Sequence, residues 1–250
     1  MGIRLGEWGN SLAHFVFPET CQVCGERRAG PATGYVCEDC WQGVRLVESP
    51  FCDKCGLPFK GAIDRGFECA NCRELDLRFD FARSAALGND FLREIIHRFK
   101  YDGARYFGTF LGELLSSAAG PILAGGGWDE IVPVPLHRLK LREREFNQAD
   151  QLARFLSDSC GIPSSPHRLI RTVPTQTQTR LSRRQRTENV KSAFVLGRAD
   201  ELRGKSIVLL DDVLTTGATT SACARVLKQA GAERVCVWTV ARATFAPQLV

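Results

Sequence analysis

The chain has 250 residues, 44% of them hydrophobic and 24% charged, with a net charge of +5 at neutral pH. This composition is typical of a soluble globular protein, and the length suits one large domain or a large and a small one. The longest uncharged run, residues 114–128, is broken by Pro121 and several glycines. It is shorter than the roughly 20 apolar residues that a membrane span requires. The N-terminus lacks a secretory signal pattern, so we expect a cytoplasmic protein with no membrane insertion.

The positive charge is concentrated in one part of the chain. Residues 137–191 contain twelve Lys or Arg and five Asp or Glu, a net charge of +7. The other residues carry 21 basic and 23 acidic side chains, a net charge of −2. A localised basic excess suggests an anionic partner, such as a phosphorylated ligand or a nucleic acid.

Cysteine spacing gives the first strong signal. Eight of the eleven cysteines form four Cys-x-x-Cys pairs before residue 73, and a glycine, Gly25 or Gly56, follows the first and third pairs. Twelve residues separate the first two pairs and thirteen separate the last two. Four thiolates at such spacing can surround a zinc ion at about 2.3 Å and close its coordination shell. We therefore predict two structural Zn²⁺ sites, with the ligands Cys21, Cys24, Cys37, Cys40, Cys52, Cys55, Cys69 and Cys72.

Metal binding would explain how this segment folds. Residues 21–72 are poor in aliphatic side chains and cannot bury a core large enough to offset chain entropy. Zinc binding contributes on the order of 10–16 kcal/mol to folding in such sites. Disulfides or a redox pair are the alternative, but no pair opens a helix within a βαβ unit as a thioredoxin-type pair does. The repeated glycine favours two sequential ribbons, and a cross-braced pairing of the cysteines is the open alternative.

From residue 79 onward, strand-like apolar runs alternate with helical periodicity. We predict strands over residues 81–87, 130–135, 167–171, 206–211 and 234–240. Helices are predicted over residues 90–100, 106–119, 146–160 and 219–230. Residues 120–127 and the basic segment 176–189 are predicted loops. This alternation indicates an α/β fold with a mainly parallel sheet flanked by helices. The remaining cysteines, Cys160, Cys223 and Cys236, are predicted to be small core residues.

The segment SIVLLDDVLTTGAT at residues 206–219 carries the strongest functional signal. It predicts a buried strand that ends in two carboxylates, followed by a Thr- and Gly-rich loop that opens a helix. Ligands in open α/β sheets bind at the carboxyl ends of strands. A helix N-terminus offers backbone N–H groups and a positive dipole end to a phosphate, while adjacent carboxylates suit vicinal hydroxyls. The segment therefore predicts a site for a phosphorylated ribose.

This segment resembles the signature of type I phosphoribosyltransferases, which bind phosphoribosyl pyrophosphate (PRPP) with Mg²⁺. The resemblance places a pyrophosphate loop at residues 136–138 and a mobile basic lid at residues 180–191. It implies catalytic roles for Asp211, Asp212 and the lid residues Arg183, Arg184 and Arg186. The implied PRPP-binding residues are Asp211, Asp212, Val213, Thr215, Thr216, Gly217, Ala218 and Thr219, with Pro135, Arg138 and Arg144.

The chain as a whole resembles the ComF family, which joins a double zinc ribbon to a phosphoribosyltransferase-like domain. Besides the cysteine pairs, the resemblance rests on FKYxG at 99–103, PxPL at 133–136, RxRxFNQ at 142–148, QTxL at 178–181 and RxxNVxxAF at 186–194. It implies a tail or helix over residues 1–18, a double ribbon over 19–75 and a phosphoribosyltransferase-like domain over 79–250. One departure is Glu145, where the family usually has glycine. We expect glutamate to exclude a positive φ at this position.

The ComF resemblance implies a role in DNA uptake during natural transformation. Two functions are then open. In the first, the chain is a phosphoribosyltransferase that acts on an unidentified nitrogen acceptor. In the second, it is a non-catalytic module that senses PRPP or a nucleotide and binds single-stranded DNA or proteins of the uptake machinery. The basic segment suits single-stranded DNA, whereas the ribbon segment is not notably basic and suits a structural or protein-contact role.

Overall fold

The computed structural model describes residues 19–61, 66–174, 192–197 and 202–243. The N-terminal segment 1–18 and the predicted lid, with Arg183, Arg184 and Arg186, lie outside the described residues. The elements in chain order are α1 (Glu38–Trp41), α2 (Ala70–Glu74), β1 (Phe81–Leu87), α3 (Asp90–Tyr101), α4 (Phe107–Ala124), β2 (Glu130–Pro133), α5 (Arg138–Arg144), α6 (Gln148–Cys160), β3 (Leu169–Arg171), β4 (Phe194–Leu196), β5 (Ser206–Leu214), α7 (Ala218–Gln229) and β6 (Arg234–Arg242).

A parallel sheet forms the centre of the described structure, which confirms the predicted fold class. Its strand order is β1-β6-β5-β2, and every neighbouring pair is parallel. Along β5, Val208 and Leu210 pack into the cluster that contains α4 and α6, while Ile207 and Leu209 pack into the cluster that contains α7. Both faces of β5 are thus covered, as a continuous apolar strand in a parallel sheet requires.

The amphipathic helix α3 was predicted correctly. Its apolar residues Leu92, Ile95, Ile96 and Phe99 are all buried, as their spacing requires. The Asn89 side chain accepts a hydrogen bond from the N–H of Leu92 at 3.0 Å and caps the first turn. This helix carries Lys100 and Tyr101 at its last turn, next to the candidate site described below.

Helix α4 is longer than predicted and corrects the expected loop over residues 120–127. The helix continues through Pro121 to Ala124. By length and composition, α4 is also a candidate membrane span, with a mean hydropathy of 1.2. However, Phe107, Phe110, Leu111 and most of its other apolar residues are buried in the core. The helix packs against α6 and β1, and this packing accounts for its apolar character.

Two features of the strands differ from the prediction. Strand β3 does not join the main sheet but pairs with β4 in a separate two-stranded antiparallel sheet, where Leu169 lies opposite Leu196. Strand β5 continues past Asp211 to Leu214, because β6 provides a hydrogen-bonding partner along its whole length. Both carboxylates of the signature segment therefore lie within the strand, and not in the loop that follows it.

The two cysteine-rich halves pack on different parts of the sheet domain. In the first half, Gly34 lies against the backbone of Phe110 in α4 with a positive φ of 60°, and the close contact leaves no room for a side chain. In the second half, the carbonyl of Lys54 accepts a hydrogen bond from the N–H of Ala82 in β1 at 2.7 Å. The segment that links the two halves also pairs with β1, where Leu46 lies opposite Ala86, so the cysteine-rich region covers the free edge of the sheet at β1.

Candidate functional site

A cavity of about 190 Å³ opens at the carboxyl ends of β2 and β5. These strands are parallel neighbours, with Pro133 opposite Leu210, so their ends meet at one edge of the sheet. The residues that line the cavity are Lys100, Val134, Pro135, Leu136, Arg144, Asn147, Gln148, Ala149, Arg171, Asp211, Asp212 and Thr219.

The adjacent carboxylates of β5 have different surroundings. Lys100 Nζ lies 2.7 Å from Asp212 Oδ2, and both side chains are largely buried. The Asp211 carboxylate accepts a hydrogen bond from the N–H of Asp212 at 2.9 Å. Burial raises the pKa of Asp211 to about 7, and the neighbouring Asp212 carboxylate adds to the increase while Lys100 opposes it. Asp212 is therefore a paired carboxylate, and Asp211 titrates near neutral pH.

Three cations from three different elements face these carboxylates: Lys100 of α3, Arg144 of α5 and Arg171 of β3. The Arg144 guanidinium stacks over the Tyr101 ring at 4.5 Å and donates to the Tyr101 hydroxyl at 2.7 Å. Arg171 stacks over the Phe194 ring at 5.4 Å, and its burial lowers the pKa of its guanidinium. The cavity thus contains two carboxylates and three basic side chains, a combination that suits a ligand with both hydroxyls and phosphates.

Within the described residues, two buried donors of the cavity have no hydrogen-bond partner. Gln148 is only 1% exposed, and its Oε1 accepts from Arg144 at 3.1 Å, but its Nε2 has no partner. Arg144 Nε is likewise buried and without a partner. Buried donors are seldom left unpaired in folded proteins. An acceptor-rich ligand such as a phosphate would satisfy both groups.

The loop after β5 forms a tight turn that leads directly into the N-terminus of α7. Gly217 adopts a positive φ of 82° directly before α7, a conformation that favours glycine. Thr216 Oγ1 accepts a hydrogen bond from the N–H of Ala218 at 3.3 Å. Thr215 is exposed and Thr219 is half-buried at the cavity wall, whereas Thr216 and Gly217 are buried against the protein. The first turn of α7 therefore reaches the cavity through Thr219.

The cysteines form two separate tetrads. Cys21, Cys24, Cys37 and Cys40 make up one tetrad, and Cys52, Cys55, Cys69 and Cys72 the other, each with its sulfurs within 4.8 Å of one another. This arrangement is the sequential one that the repeated glycine favours, and it excludes the cross-braced pairing. Gly25 and Gly56 both have positive φ values, of 73° and 63°, as the predicted knuckles require.

The geometry of each tetrad fits a zinc ion. A tetrahedral ion with bonds of about 2.3 Å to sulfur places the sulfurs about 3.8 Å apart. The sulfurs of Cys21 and Cys40 are 3.7 Å apart, and those of Cys24 and Cys37 are 3.9 Å apart. In the second tetrad the corresponding distances are 3.8 Å for Cys52 and Cys72 and 3.7 Å for Cys55 and Cys69. Backbone N–H groups also donate to the sulfurs, with Cys37 N and Cys69 N each 3.3 Å from a cysteine Sγ.

Of the residues predicted from the sequence, the structure brings Asp211, Asp212, Thr219, Pro135 and Arg144 together around the cavity. Arg138 is exposed on α5 and does not line it, and neither do the predicted residues Val213, Thr215, Thr216, Gly217 and Ala218. The expectation that glutamate excludes a positive φ at position 145 was wrong, because Glu145 has a φ of 64°. Its carboxylate lies 3.0 Å from the exposed guanidinium of Arg105.

Sequence reasoning did not give a role to Lys100, Gln148 or Arg171. Lys100 and Gln148 belong to the family motifs at 99–103 and 142–148, and this membership is the signal that could have identified them. Arg171 lies in a short strand with no motif around it. Its position at the cavity depends on the pairing of β3 with β4, which no local pattern predicts.

Two protein-family models match the two parts of the chain. Residues 12–73 match the double zinc ribbon domain family, and residues 149–245 match the phosphoribosyl transferase domain family. Competence protein F of Haemophilus influenzae is 30% identical over 214 residues, which cover 83% of this chain and 90% of that protein. DNA utilization protein YhgH of Escherichia coli is 31% identical over 230 residues, which cover 90% and 97%. A purine phosphoribosyltransferase structure from Pyrococcus horikoshii aligns with 53% of this chain and 83% of its own, at 18% identity and a TM-score of 0.34.

Fold, cysteine tetrads and family matches together define a class of protein, a double zinc ribbon joined to a phosphoribosyltransferase-type domain. A third relative, Competence protein ComFC of Bacillus subtilis, is 31% identical over 200 residues, which cover 78% of this chain and 79% of that protein. The chain belongs to the ComF family of competence and DNA utilisation proteins.

Proposed function

We propose that the cavity binds PRPP as its Mg²⁺ complex, and that the chain uses this ligand in the handling of DNA during natural transformation. The observation that carries the proposal is the meeting of Asp211 and Asp212 with Thr219 and three cations in one cavity. The names of the relatives, competence and DNA utilisation proteins, support the cellular role. Reduced thiols in both tetrads suit a cytoplasmic protein.

The carboxylates are proposed to bind the ribose. Asp212 is held in place by Lys100 at 2.7 Å and has a second oxygen for a hydroxyl group. Asp211 lies beside it at the same end of β5, and the two side chains can accept from the 2′- and 3′-hydroxyls. Lys100 then has a defined role, because its ion pair with Asp212 holds that carboxylate in place while the ribose enters the cavity.

The two ends of the ligand carry the phosphates. The turn from Thr215 to Thr219 is proposed to bind the 5′-phosphate through its N–H groups and hydroxyls at the start of α7. The pyrophosphate would lie toward Arg144 and Gln148, whose unpartnered donors need acceptors. Arg138 and the lid residues Arg183, Arg184 and Arg186 are proposed to complete the pyrophosphate contacts when the lid closes.

The residues present fit a ligand-borne magnesium ion. Asp212 is already paired with Lys100, so the protein offers few free oxygens for a dedicated metal site. Mg²⁺ prefers phosphate oxygens and water, and when bound with the ligand it would neutralise charge on the pyrophosphate. The protein would orient the ribose and exclude water from its C1 atom.

The proposed reaction is transfer of the phosphoribosyl group to a nitrogen acceptor. A bond from the acceptor nitrogen to ribose C1 forms while the bond from C1 to the pyrophosphate oxygen breaks. The electron pair of that bond leaves with the pyrophosphate, and the acceptor nitrogen loses a proton to solvent. Positioning and electrostatics would supply most of the rate, with no covalent intermediate on the protein.

Calorimetric titration with PRPP and Mg²⁺ tests binding, and pyrophosphate release across a panel of bases and amines tests turnover. We expect the wild-type protein to bind, and the Asp211→Asn, Asp212→Asn double variant to lose binding while it retains two zinc ions and its circular dichroism spectrum. Asp39→Asn, on the exposed surface of α1, is the control and should bind like wild type. Equal affinity in wild type and double variant would refute the site. Binding without pyrophosphate release would favour a sensing module.

A specific observation supports single-stranded DNA as a second ligand. Helix α5 borders the cavity and presents Arg138 and Arg142 to solvent, next to the exposed Leu139 and Leu141. Basic side chains with neighbouring apolar surface suit a single strand with unstacked bases. The variant Arg138→Glu, Arg142→Glu should bind an oligonucleotide more weakly and with a smaller salt dependence. Arg93→Glu, on the exposed face of α3, is the matched control. An unchanged salt slope in the α5 variant would exclude this surface.

We also propose domain boundaries at residues 19–75 for the double ribbon and 79–250 for the phosphoribosyltransferase-type unit. The match to the double zinc ribbon family and the position of the second tetrad support the end of the ribbon unit. The start of β1 at Phe81 supports the start of the phosphoribosyltransferase-type unit.

A further inference from the structure

Arg242, at the end of β6, contacts both the second cysteine tetrad and the proposed phosphate loop. Its side chain is buried, with 1% of the residue exposed. One terminal nitrogen donates to the carbonyls of Thr215 at 2.8 Å, Leu214 at 2.9 Å and Ala243 at 2.9 Å. The other terminal nitrogen lies 3.5 Å from Cys55 Sγ. A single guanidinium therefore connects a candidate metal ligand with the first residue of the loop.

The charge of Arg242 needs a compensating group. A buried guanidinium without a counter-charge is destabilising, because it loses the solvation of water and gains no opposite charge. Among the described residues, its contacts are three backbone carbonyls and Cys55 Sγ, and none is a carboxylate. Four thiolates around one Zn²⁺ carry a net charge of −2, so a metal-loaded second tetrad supplies the counter-charge that Arg242 needs.

The two tetrads differ in their connection to the loop. The cysteines of the second tetrad belong to the same buried cluster as Leu77, Phe79 and Leu214. Leu77 and Phe79 lie beside Gly217, the residue that begins the turn into α7, because a Cβ at this position would meet their side chains at 3.3 and 3.4 Å. The first tetrad lies in a small cluster with Ala29, its Cys24 is exposed, and its Cys40 also packs against the cluster that contains α3 and α4, not the one that contains Leu214.

A second contact joins the same two regions. The segment that follows Cys72 is pinned to the first turn of α7, where Ser221 Oγ donates to the carbonyl of Asp76 at 3.2 Å. The same hydroxyl accepts from the N–H of Arg78 at 3.0 Å. Arg242 thus holds the start of the loop at Thr215. The segment between the second tetrad and β1 holds the other end, through Ser221 in the first turn of α7.

We infer that Arg242 is a positioning residue for the phosphate loop, and that metal in the second tetrad and ligand in the cavity stabilise each other through it. The first tetrad does not take part in this coupling. The inference rests on the proposed function, since it concerns the loop that is proposed to bind the 5′-phosphate. Coupling between two binding sites is reciprocal, so ligand binding must also change the surroundings of the second metal.

The full-length protein with ¹¹³Cd in place of zinc provides the test, because each tetrad then gives its own NMR resonance. The Cys21→Ser variant assigns the resonance of the first site. On titration with PRPP and Mg²⁺, we expect the resonance of the second site to shift and that of the first site to stay in place. Calorimetry on the same sample reports whether the ligand binds.

Two variants test the role of Arg242 itself. Arg242→Lys keeps the positive charge but cannot reach the loop carbonyls and Cys55 Sγ together. We expect it to retain two metal ions, to lose the resonance shift and to bind the ligand about tenfold more weakly, within the usual range of coupling between sites. If this variant fails to fold, Cys55→His provides the same test, since it keeps a metal ligand but removes the thiolate. Its matched control is Cys24→His in the first tetrad, which should leave the affinity unchanged.

The outcomes separate the two proposals. If calorimetry shows no binding to the wild-type protein, the proposed function fails. If the ligand binds but the second resonance does not move, the coupling is wrong and the proposed function stands. Wild-type affinity in folded Arg242→Lys, or equal losses in Cys55→His and Cys24→His, would also overturn the positioning role.

Discussion

Lys100 and Asp212 form an ion pair of 2.7 Å between the last turn of α3 and the end of β5, and both side chains are largely buried. This pair joins two motifs that are more than 100 residues apart in the chain, FKYxG and the signature segment. It distinguishes the two adjacent carboxylates, because Asp212 has a partner while the pKa of Asp211 is raised.

Lys100→Met should destabilise the protein and weaken ligand binding, because it leaves the Asp212 carboxylate buried without its partner. Removal of one member of a buried pair costs about 3 kcal/mol. Thermal unfolding and calorimetry measure the two effects. In the double variant Lys100→Met, Asp212→Asn, stability should recover in part while binding stays weak. Additive losses of stability in the double variant would show that the two side chains do not interact.

Stability should depend on pH through Asp211. Its pKa in the folded chain is about 7, above the ordinary value of about 3.9 for an unfolded chain. The folded state therefore binds a proton more tightly, and this stabilisation is lost as pH rises through 7. Asp211→Asn has no such loss, so its melting temperature should exceed that of wild type by several degrees near pH 8, with a smaller difference near pH 5.

Asp212→Asn is the control for this pH effect, since it deprives Lys100 of its partner and should lower the melting temperature at both pH values. A difference between Asp211→Asn and wild type that does not change with pH would show that Asp211 titrates at an ordinary pKa.

Glu145→Gly should stabilise the apo protein. Glu145 has a positive φ at the end of α5, and a non-glycine residue in this conformation costs about 1–2 kcal/mol. The exposed ion pair with Arg105 that is lost contributes little. We expect an increase of about 1 kcal/mol in the free energy of unfolding, measured by denaturant titration. Glu143→Gly, within α5, should instead lower stability by about 1 kcal/mol. Destabilisation by both changes would contradict the proposed strain.

Zinc content should follow the tetrads. The purified chain should hold two zinc ions, and Cys21→Ser should hold one, with lower solubility because the first ribbon loses its metal. Cys160→Ser, at a half-buried cysteine outside both tetrads, should retain two. Elemental analysis of the purified proteins checks all three values. Two zinc ions in Cys21→Ser would contradict the assignment of that ligand.

The sequence predicted those parts of the fold that depend on local pattern. The apolar face of α3, the cysteine knuckles with Gly25 and Gly56, and the buried strand before Asp211 all follow from spacing and composition. The loop predicted after Ala119 was wrong, because packing of α4 against α6 and β1 carries the helix past Pro121. The pairing of β3 with β4 was also not predicted, because the two strands are far apart in the chain.

The candidate site could be predicted only in part for the same reason. Asp211, Asp212 and the loop lie in one continuous motif, so their proposed roles in ligand binding can be predicted from the residues alone. The partners that set their electrostatics, Lys100 and Arg171, come from α3 and β3. They lie far from the motif in the sequence, so local pattern does not identify them. Only the folding of the chain brings them to the cavity.

The pairing of β1 with β6 has a consequence for synthesis on the ribosome. The first strand of the sheet to be translated takes as its neighbour the last one, with Phe81 opposite Cys236. At about 5–20 residues per second, the nascent chain waits on the order of ten seconds for β6. During this interval β1 has an open edge on the side that β6 will occupy, while the second cysteine-rich half, already translated, can shield the other. A premature stop before Arg234 would leave β1 and β5 without their common neighbour and open to aggregation.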